Sequence, residues 1–264
     1  DMEKIEKEVR ADQSIKGIWC VPKYSNPTGH TYSDEVVKRI AALPKIAAED
    51  FFVFWDNAYV VHDLQSNEDK LYNFSRAAEN QGTSDSGLVF ASTSKITFAG
   101  AGISFLSTGD KTLSDFEKYL SVQMIGFDKV NQLRHVKLLK NLEETKQLMA
   151  KHQKVLKPKF DLVLATLENK LGNSKVAQWT RPKGGYFISL DTLPGLAKRT
   201  VQLALELGVR LTPAGATFPY GKDPNDSNIR IAPSYPQLEE LRKAVNVLGT
   251  CILLAKAESD NREG

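Results

Sequence analysis

The chain has 264 residues, of which 41% are hydrophobic and 25% charged, the proportions of an ordinary globular protein that can bury one large core or two modest ones. Its formal net charge of +3 is weak and spread along the chain, which argues against nucleic acid as a partner. No apolar run approaches the roughly 20 residues of a membrane span, and the polar opening is unlike a signal peptide.

Residues 2–11 have the charged, helix-forming composition of a connector already inside a fold. A first apolar strand is expected at 17–21. Ser33 is a plausible helix N-cap, with Asp34 and Glu35 in the first turn and an apolar stripe of Val36, Val37, Ile40 and Leu43 running to Pro44. A second strand falls at 51–55. The polar stretch 65–87 holds a short helix near 73–80 and ends in the turn Asp85-Ser86-Gly87. Strands at 88–91 and 103–107 follow closely. Strands that are apolar throughout suggest a sheet buried on both faces, and strand–helix alternation suggests parallel crossovers.

Past Gly109 the character changes. Residues 113–171 are helical in composition, with breaks expected at Gly126 and Pro158. Short strands are then expected at 176–180, 185–190, 209–212 and 229–232, with helices at 198–207 and 237–257 and a frayed tail at 258–264. The expected division is residues 1–140 as a sheet domain with linking helices and 141–264 as a smaller α+β domain. Cys20 and Cys251 fall in apolar segments and read as buried thiols of a reducing compartment, so the cytoplasm is the expected location.

Three of the apolar strands end alike. The first runs into Asn26-Pro27-Thr28-Gly29, the second into Asp56-Asn57-Ala58-Tyr59, and the third into Ser92-Thr93-Ser94-Lys95. Open α/β sheets bind ligands at that edge, and here it would receive an amide, a carboxylate with a phenol, and an amine. A lysine so placed can form a Schiff base if a shielded, cation-rich pocket strips its proton. A pyridoxal phosphate site needs four functions: an imine-forming lysine, a carboxylate for the pyridine nitrogen, donors for the phenolate oxygen, and hydroxyls or amides for the phosphate. Lys95, Asp56, the pair Asn26 and Tyr59, and the pair Ser92 and Ser94 can fill them in that order. Asn26 and Asp56 are 30 positions apart and Asp56 and Lys95 are 39 apart, which suits successive βαβ units of about 30 residues or more.

Together with Pro182-Lys183-Gly184-Gly185-Tyr186-Phe187 and Asn228-Ile229-Arg230-Ile231-Ala232, these segments resemble the signatures of fold-type I pyridoxal phosphate aminotransferases. The wording of 17–29 and 92–102 is most similar to the MocR-like subgroup of bacterial aspartate aminotransferases. The resemblance spans nearly the whole chain. It implies an α/β fold with a mostly parallel sheet and a smaller C-terminal α+β domain. It also implies Lys95 as the Schiff-base lysine, Asp56 on the pyridine nitrogen, Asn26 and Tyr59 on the phenolate oxygen, and Ser92 and Ser94 on the phosphate. Arg230 would clamp the substrate's α-carboxylate bidentately, with Asn26 also on the substrate side. Amino acid and 2-oxo acid substrates follow, aspartate favoured as donor.

Two departures from the family pattern stand out. The arginine that usually follows the lysine by seven or eight positions is replaced by Gly102 and Ile103. Glycines 100 and 102 could offer a backbone anion nest, with Lys129 and Arg134 as weaker cation candidates. Such enzymes also run to about 400 residues, beyond the single-domain range, and the segments of their opening third have no counterpart here. The expectation is therefore a fragment, a truncated gene product or half of a split enzyme, whose open sheet edge would drive it to form a homodimer. A carbon–sulfur β-lyase and a non-catalytic effector-sensing domain of a MocR-type regulator are the rival functions. His30, His62, His135 and His152 show no metal-ligand spacing and read as surface or core residues. Taken singly, each motif has a duller reading: a turn, a helix cap, a solvated loop, or an ion pair for Arg230.

Overall fold

The computed structural model describes residues 1–66 and 69–263. Asn67 and Glu68, in the expected polar stretch, and Gly264, at the expected tail, lie outside the described residues. The chain divides into two compact units. The first comprises Asp1–Lys23, His30–Val61 and Asp69–Met149, and the second Tyr24–Gly29, His62–Glu68 and Ala150–Gly264.

In the first unit, α1 (Met2–Ala11), β1 (Gly17–Cys20), α2 (Asp34–Ala42), β2 (Phe52–Asp56), α3 (Phe74–Gln81), β3 (Gly87–Ser92) and β4 (Ser104–Ser107) precede α4 (Asp110–Gln123) and α5 (Lys129–Leu139). The sheet runs β1-β2-β3-β4, with the first three strands parallel and β4 antiparallel. Local chemistry sets the helix ends. The Ser33 hydroxyl accepts from Val36 N at 3.3 Å to open α2, and Asn73 accepts from Arg76 N at 3.0 Å to open α3. Gly82, left-handed at φ 68°, closes α3.

One sheet face is covered. Cys20, Val53 and Trp55 pack with Val37 and Ile40 of α2 and with Phe74 and Ala77 of α3, and the Trp55 and Phe74 rings stack at 4.4 Å. Each fully buried Val, Ile or Phe side chain among them contributes about 1.5–3 kcal/mol. The opposite face is open, contrary to the expectation of a sheet buried on both sides. There Trp19, Phe54 and Phe90 stack at 5.4 and 6.3 Å, with Trp19 63% exposed. Continuous apolar patterning reports strands able to be covered twice; α2 and α3 supply one cover.

The second unit holds most of α6 (Leu142–Leu171), then β5 (Ala177–Trp179), β6 (Ile188–Thr192), α7 (Ala197–Glu206), β7 (Asn228–Ile231) and α8 (Leu238–Glu263), with an antiparallel sheet β5-β6-β7. Its core joins Phe160, Val163 and Leu167 of α6 to Ile188, Leu190, Ile229 and α8. Three expectations are corrected here. Pro158 sits inside α6 without ending it, since buried side chains beyond it bind the helix to the sheet. Residues 209–212 form no strand. Val209 and Leu211 instead pack against Leu203, Ala204 and Cys251, and Val209 N donates to Ala204 O at 2.8 Å past the left-handed Gly208. The tail does not fray after residue 258: α8 runs to Glu263, and Arg199 holds Glu258 through two bonds of 2.6 and 2.7 Å. No helix among the described residues is long and apolar enough to cross a membrane.

Candidate active site

Parallel strands deliver their C-terminal residues to one edge, and in the first unit that edge carries Asp56, Tyr59, Ser92, Ser94 and Lys95. Asp56 ends β2, half-buried, on the sheet face that bears Phe54, and its Cα partner is Phe90. Ser92 ends β3 two residues after Phe90, so its side chain projects to that same face. The ladder continues one step, with Asn57 N donating to Phe90 O at 2.9 Å.

After Ser92 the chain forms a tied loop over 93–103. Buried Thr93 makes its neck: its N–H donates to Ile103 O at 2.9 Å, and its hydroxyl accepts from Ile103 N at 2.8 Å. Its carbonyl accepts from Ile96 N and Thr97 N at 2.8 and 2.9 Å, a turn that presents Lys95. The Ser92 hydroxyl donates to Ser94 Oγ at 2.8 Å and accepts from Ser94 N at 3.0 Å, so two hydroxyls converge beside the lysine. Lys95 Nζ stands 5.2 Å from the centroid of the buried Tyr59 ring. Lys95 is exposed.

At Gly102, one of the two positions where the arginine would stand, a side chain has no room. A Cβ at Gly102 would lie 2.3 Å from Ser94 Oγ and 2.8 Å from its backbone N, so no side chain fits there without displacing the serine. Lys129 and Arg134 are exposed on α5. The donor set of this unit fits pyridoxal phosphate: a primary amine on a fixed turn, a carboxylate, a phenol, and two serine hydroxyls ready for an anion.

Asn26 and Arg230 fall in the second unit, where they touch. Arg230 Nη1 donates to Asn26 Oδ1 at 3.2 Å and Nη2 to Thr212 Oγ1 at 3.3 Å, while the guanidinium lies 4.7 Å from the Phe187 ring centroid. Its partners are neutral, so the structural ion pair is not what holds it. Its Nε is buried without a hydrogen-bond partner among the described residues. Asn26 precedes a cis peptide to Pro27 and is itself exposed.

Sequence reading missed what seats Asn26. Tyr24, 1% exposed, donates its hydroxyl to Asp63 Oδ1 at 2.5 Å and lays its ring on Gly184, where an added Cβ would come within 2.1–2.4 Å of three ring carbons. Leu64 N donates to Lys183 O and Gly185 N to His62 O, so 62–64 and 183–185 form the bed for that ring. The pair Gly184-Gly185 was the only signal, and it named no partner. Thr212 and Phe187 were likewise visible only as members of apolar segments.

Comparison with known proteins gives these features a family. The aspartate amino-transferase family matches residues 1–263. A Mycolicibacterium smegmatis relative, provisionally named an aminotransferase, is 50% identical over 98% of this chain and 60% of its own length. An aspartate aminotransferase of Corynebacterium glutamicum is 45% identical over 98% of this chain and 59% of its own. The solved aspartate transaminase from Corynebacterium glutamicum, 44% identical, superposes with a TM-score of 0.95 over 98% of this chain and 61% of that one. The chain thus spans about 60% of the length of the relatives it matches. It belongs to the aspartate amino-transferase family and has the fold of the fold-type I aminotransferases.

Proposed function

We propose that the protein carrying this chain is a pyridoxal phosphate-dependent aminotransferase that moves an amino group between an amino acid, aspartate in the favoured case, and a 2-oxo acid. The observation that carries the reading is Lys95 on its tied turn, with converging Ser92 and Ser94 on one side and Tyr59 on the other, beside the strand that ends in Asp56. When bound, the cofactor supplies the electron sink that lets an amino acid lose its α proton. Lys95 would hold the cofactor covalently and then move that proton. Asp56 would keep the pyridine nitrogen protonated, Tyr59 and Asn26 would donate to the phenolate oxygen, and Ser92 and Ser94 would bind the phosphate. Arg230 takes the α-carboxylate of the substrate through its fork of donors.

The first unit would be the C-terminal part of the cofactor-binding domain and the second the small domain. The likeness of 17–29 and 92–102 to MocR-like enzymes narrows the subgroup, and a reducing, cytoplasmic setting suits the free Cys20 and Cys251. A homodimer is part of the proposal. Helix α4 has no buried side chain, while Val122 is 87% and Ile125 109% exposed, a surface that calls for a second copy.

Borohydride trapping of the holoenzyme followed by peptide mapping tests the assignment. Label on the peptide containing Lys95, visible absorbance lost on adding aspartate with about one equivalent of oxaloacetate per site, and continued oxaloacetate formation only with a 2-oxo acid acceptor are expected. Full turnover in Lys95→Ala would refute it. Pyruvate and ammonia released from a cysteine conjugate without an acceptor would select the β-lyase.

A further inference from the structure

Helix α5 is fastened in an unusual way. Of its apolar residues, Val130, Leu133, Val136 and Leu138 are exposed and Leu139 is half-buried, and its one buried side chain is His135, 3% exposed. A helix this short is marginal alone, and burial of an apolar stripe is what normally holds one. What holds α5 is polar, and it is the loop that presents Lys95. His135 Nε2 lies 2.8 Å from Thr97 Oγ1, the Phe98 ring meets the imidazole edge-on at 6.0 Å, and Asn131 Nδ2 donates to Ala101 O at 2.9 Å. Loop 93–103 is therefore pinned at its neck by Thr93 and along its length by two side chains of α5.

We propose that His135, acting through Thr97, is a positioning residue that fixes the turn bearing Lys95; the inference rests on the reading of Lys95 as the cofactor lysine. The protonation pattern follows from the acceptors. His135 Nδ1 faces Asn131 O at 2.9 Å, and a carbonyl only accepts, so Nδ1 carries a proton. In the neutral ring Nε2 accepts from the Thr97 hydroxyl. The Thr97 hydroxyl also stands 3.2 Å from Thr93 O, so the contact ties the 93–97 turn to α5. A leucine of similar bulk would fill the space and hold nothing; a glutamine would still reach Thr97.

The test is amide exchange across 93–103 in the whole cofactor-free protein, comparing the parent with His135→Leu, His135→Gln, Thr97→Val and the His135→Leu, Thr97→Val double variant. His135→Leu and Thr97→Val should each speed exchange about tenfold, the upper range for one neutral hydrogen bond lost. The double should exchange no faster than either single, His135→Gln should keep the parent rate, and the β2 amides should not change. Pyridoxal phosphate should bind His135→Leu several-fold more weakly, while pyridoxine phosphate, which lacks the aldehyde, binds as in the parent. Parent-like exchange in His135→Leu, no rescue by glutamine, or equal loss of both cofactors would overturn the proposal. A parent protein that is not trapped at Lys95 would sink the cofactor reading separately, and the exchange comparison would still decide the clasp.

Discussion

Gly184→Ala adds one carbon where the structure has no room for it. The new Cβ would stand 2.1, 2.3 and 2.4 Å from three ring carbons of Tyr24, against a comfortable separation of about 3.5–4.0 Å. The ring cannot slide freely, because its hydroxyl is bonded to Asp63. Either the backbone at 184 or the ring must move by more than about 1 Å. Overpacking of this kind costs about 1–3 kcal/mol, and losing the Tyr24–Asp63 bond adds about 1 more. At about 2–4 °C per kcal/mol for a unit of this size, the melting temperature should fall by roughly 4–15 °C. Gly184 is not among the positive-φ glycines, so the loss is steric. Gly82→Ala is the converse control: φ is +68° with nothing within 4 Å of the new carbon, so backbone strain alone acts, about 1–2 kcal/mol. Calorimetric melts of Gly184→Ala with Tyr24 intact and as Tyr24→Ala complete the cycle. A cost that is the same in both backgrounds, or a melt within a degree of the parent, would refute the account of how Asn26 is seated.

Burial pushes the Cys20 thiol up to about 12 and, with that thiol beside it, Tyr32 to about 12. The folded state keeps these protons while the unfolded chain starts to lose them near pH 9, so stability should fall as pH rises from about 9 toward 12, and urea midpoints should drop less in Cys20→Ala. Burial disfavours the charge of Asp223, but the backbone N–H groups of Asn228, Ser227, Asn225 and Asp226 outweigh it and hold the carboxyl below its usual range. Its stabilisation is present above about pH 4 and is lost as pH falls through the lowered value; Asp223→Asn should cost about 1–3 kcal/mol at pH 7 in denaturant melts and flatten that acid limb. Arg230→Gln should raise KM for the amino acid about 10–100-fold with a smaller change in kcat, measured by steady-state kinetics. Val122→Glu with Ile125→Glu should give a monomer by light scattering if the surface at α4 joins two copies.

Much of the fold was legible where the cause is local. Ser33 and Asn73 cap helices because a side-chain oxygen within three residues suffices, and the parallel strands β1 to β3 show as apolar runs separated by helix signals. The misreadings share one origin. Pro158 in α6, the 209–212 segment and the end of α8 were settled by packing and pairing with distant residues, such as Glu258 with Arg199 59 positions away.

The site divides along that line too. Lys95, Asp56, Ser92 and Ser94 could be named as candidates because strand ends announce themselves and the residue types match one chemistry. The residues that aim them were not: Thr97 meets His135 across 38 positions, Tyr24 meets Asp63 across 39, and Asn26 meets Arg230 across 204. Gly102 shows the same limit from the other side. Read alone it is a missing arginine; beside Ser94 it is a position where a side chain would push the serine hydroxyl aside. A chemical group can be named from its own residue, but its direction is set by neighbours that only the folded chain brings near, so a side chain that looks like filler, as His135 did, can still fix where an amine points.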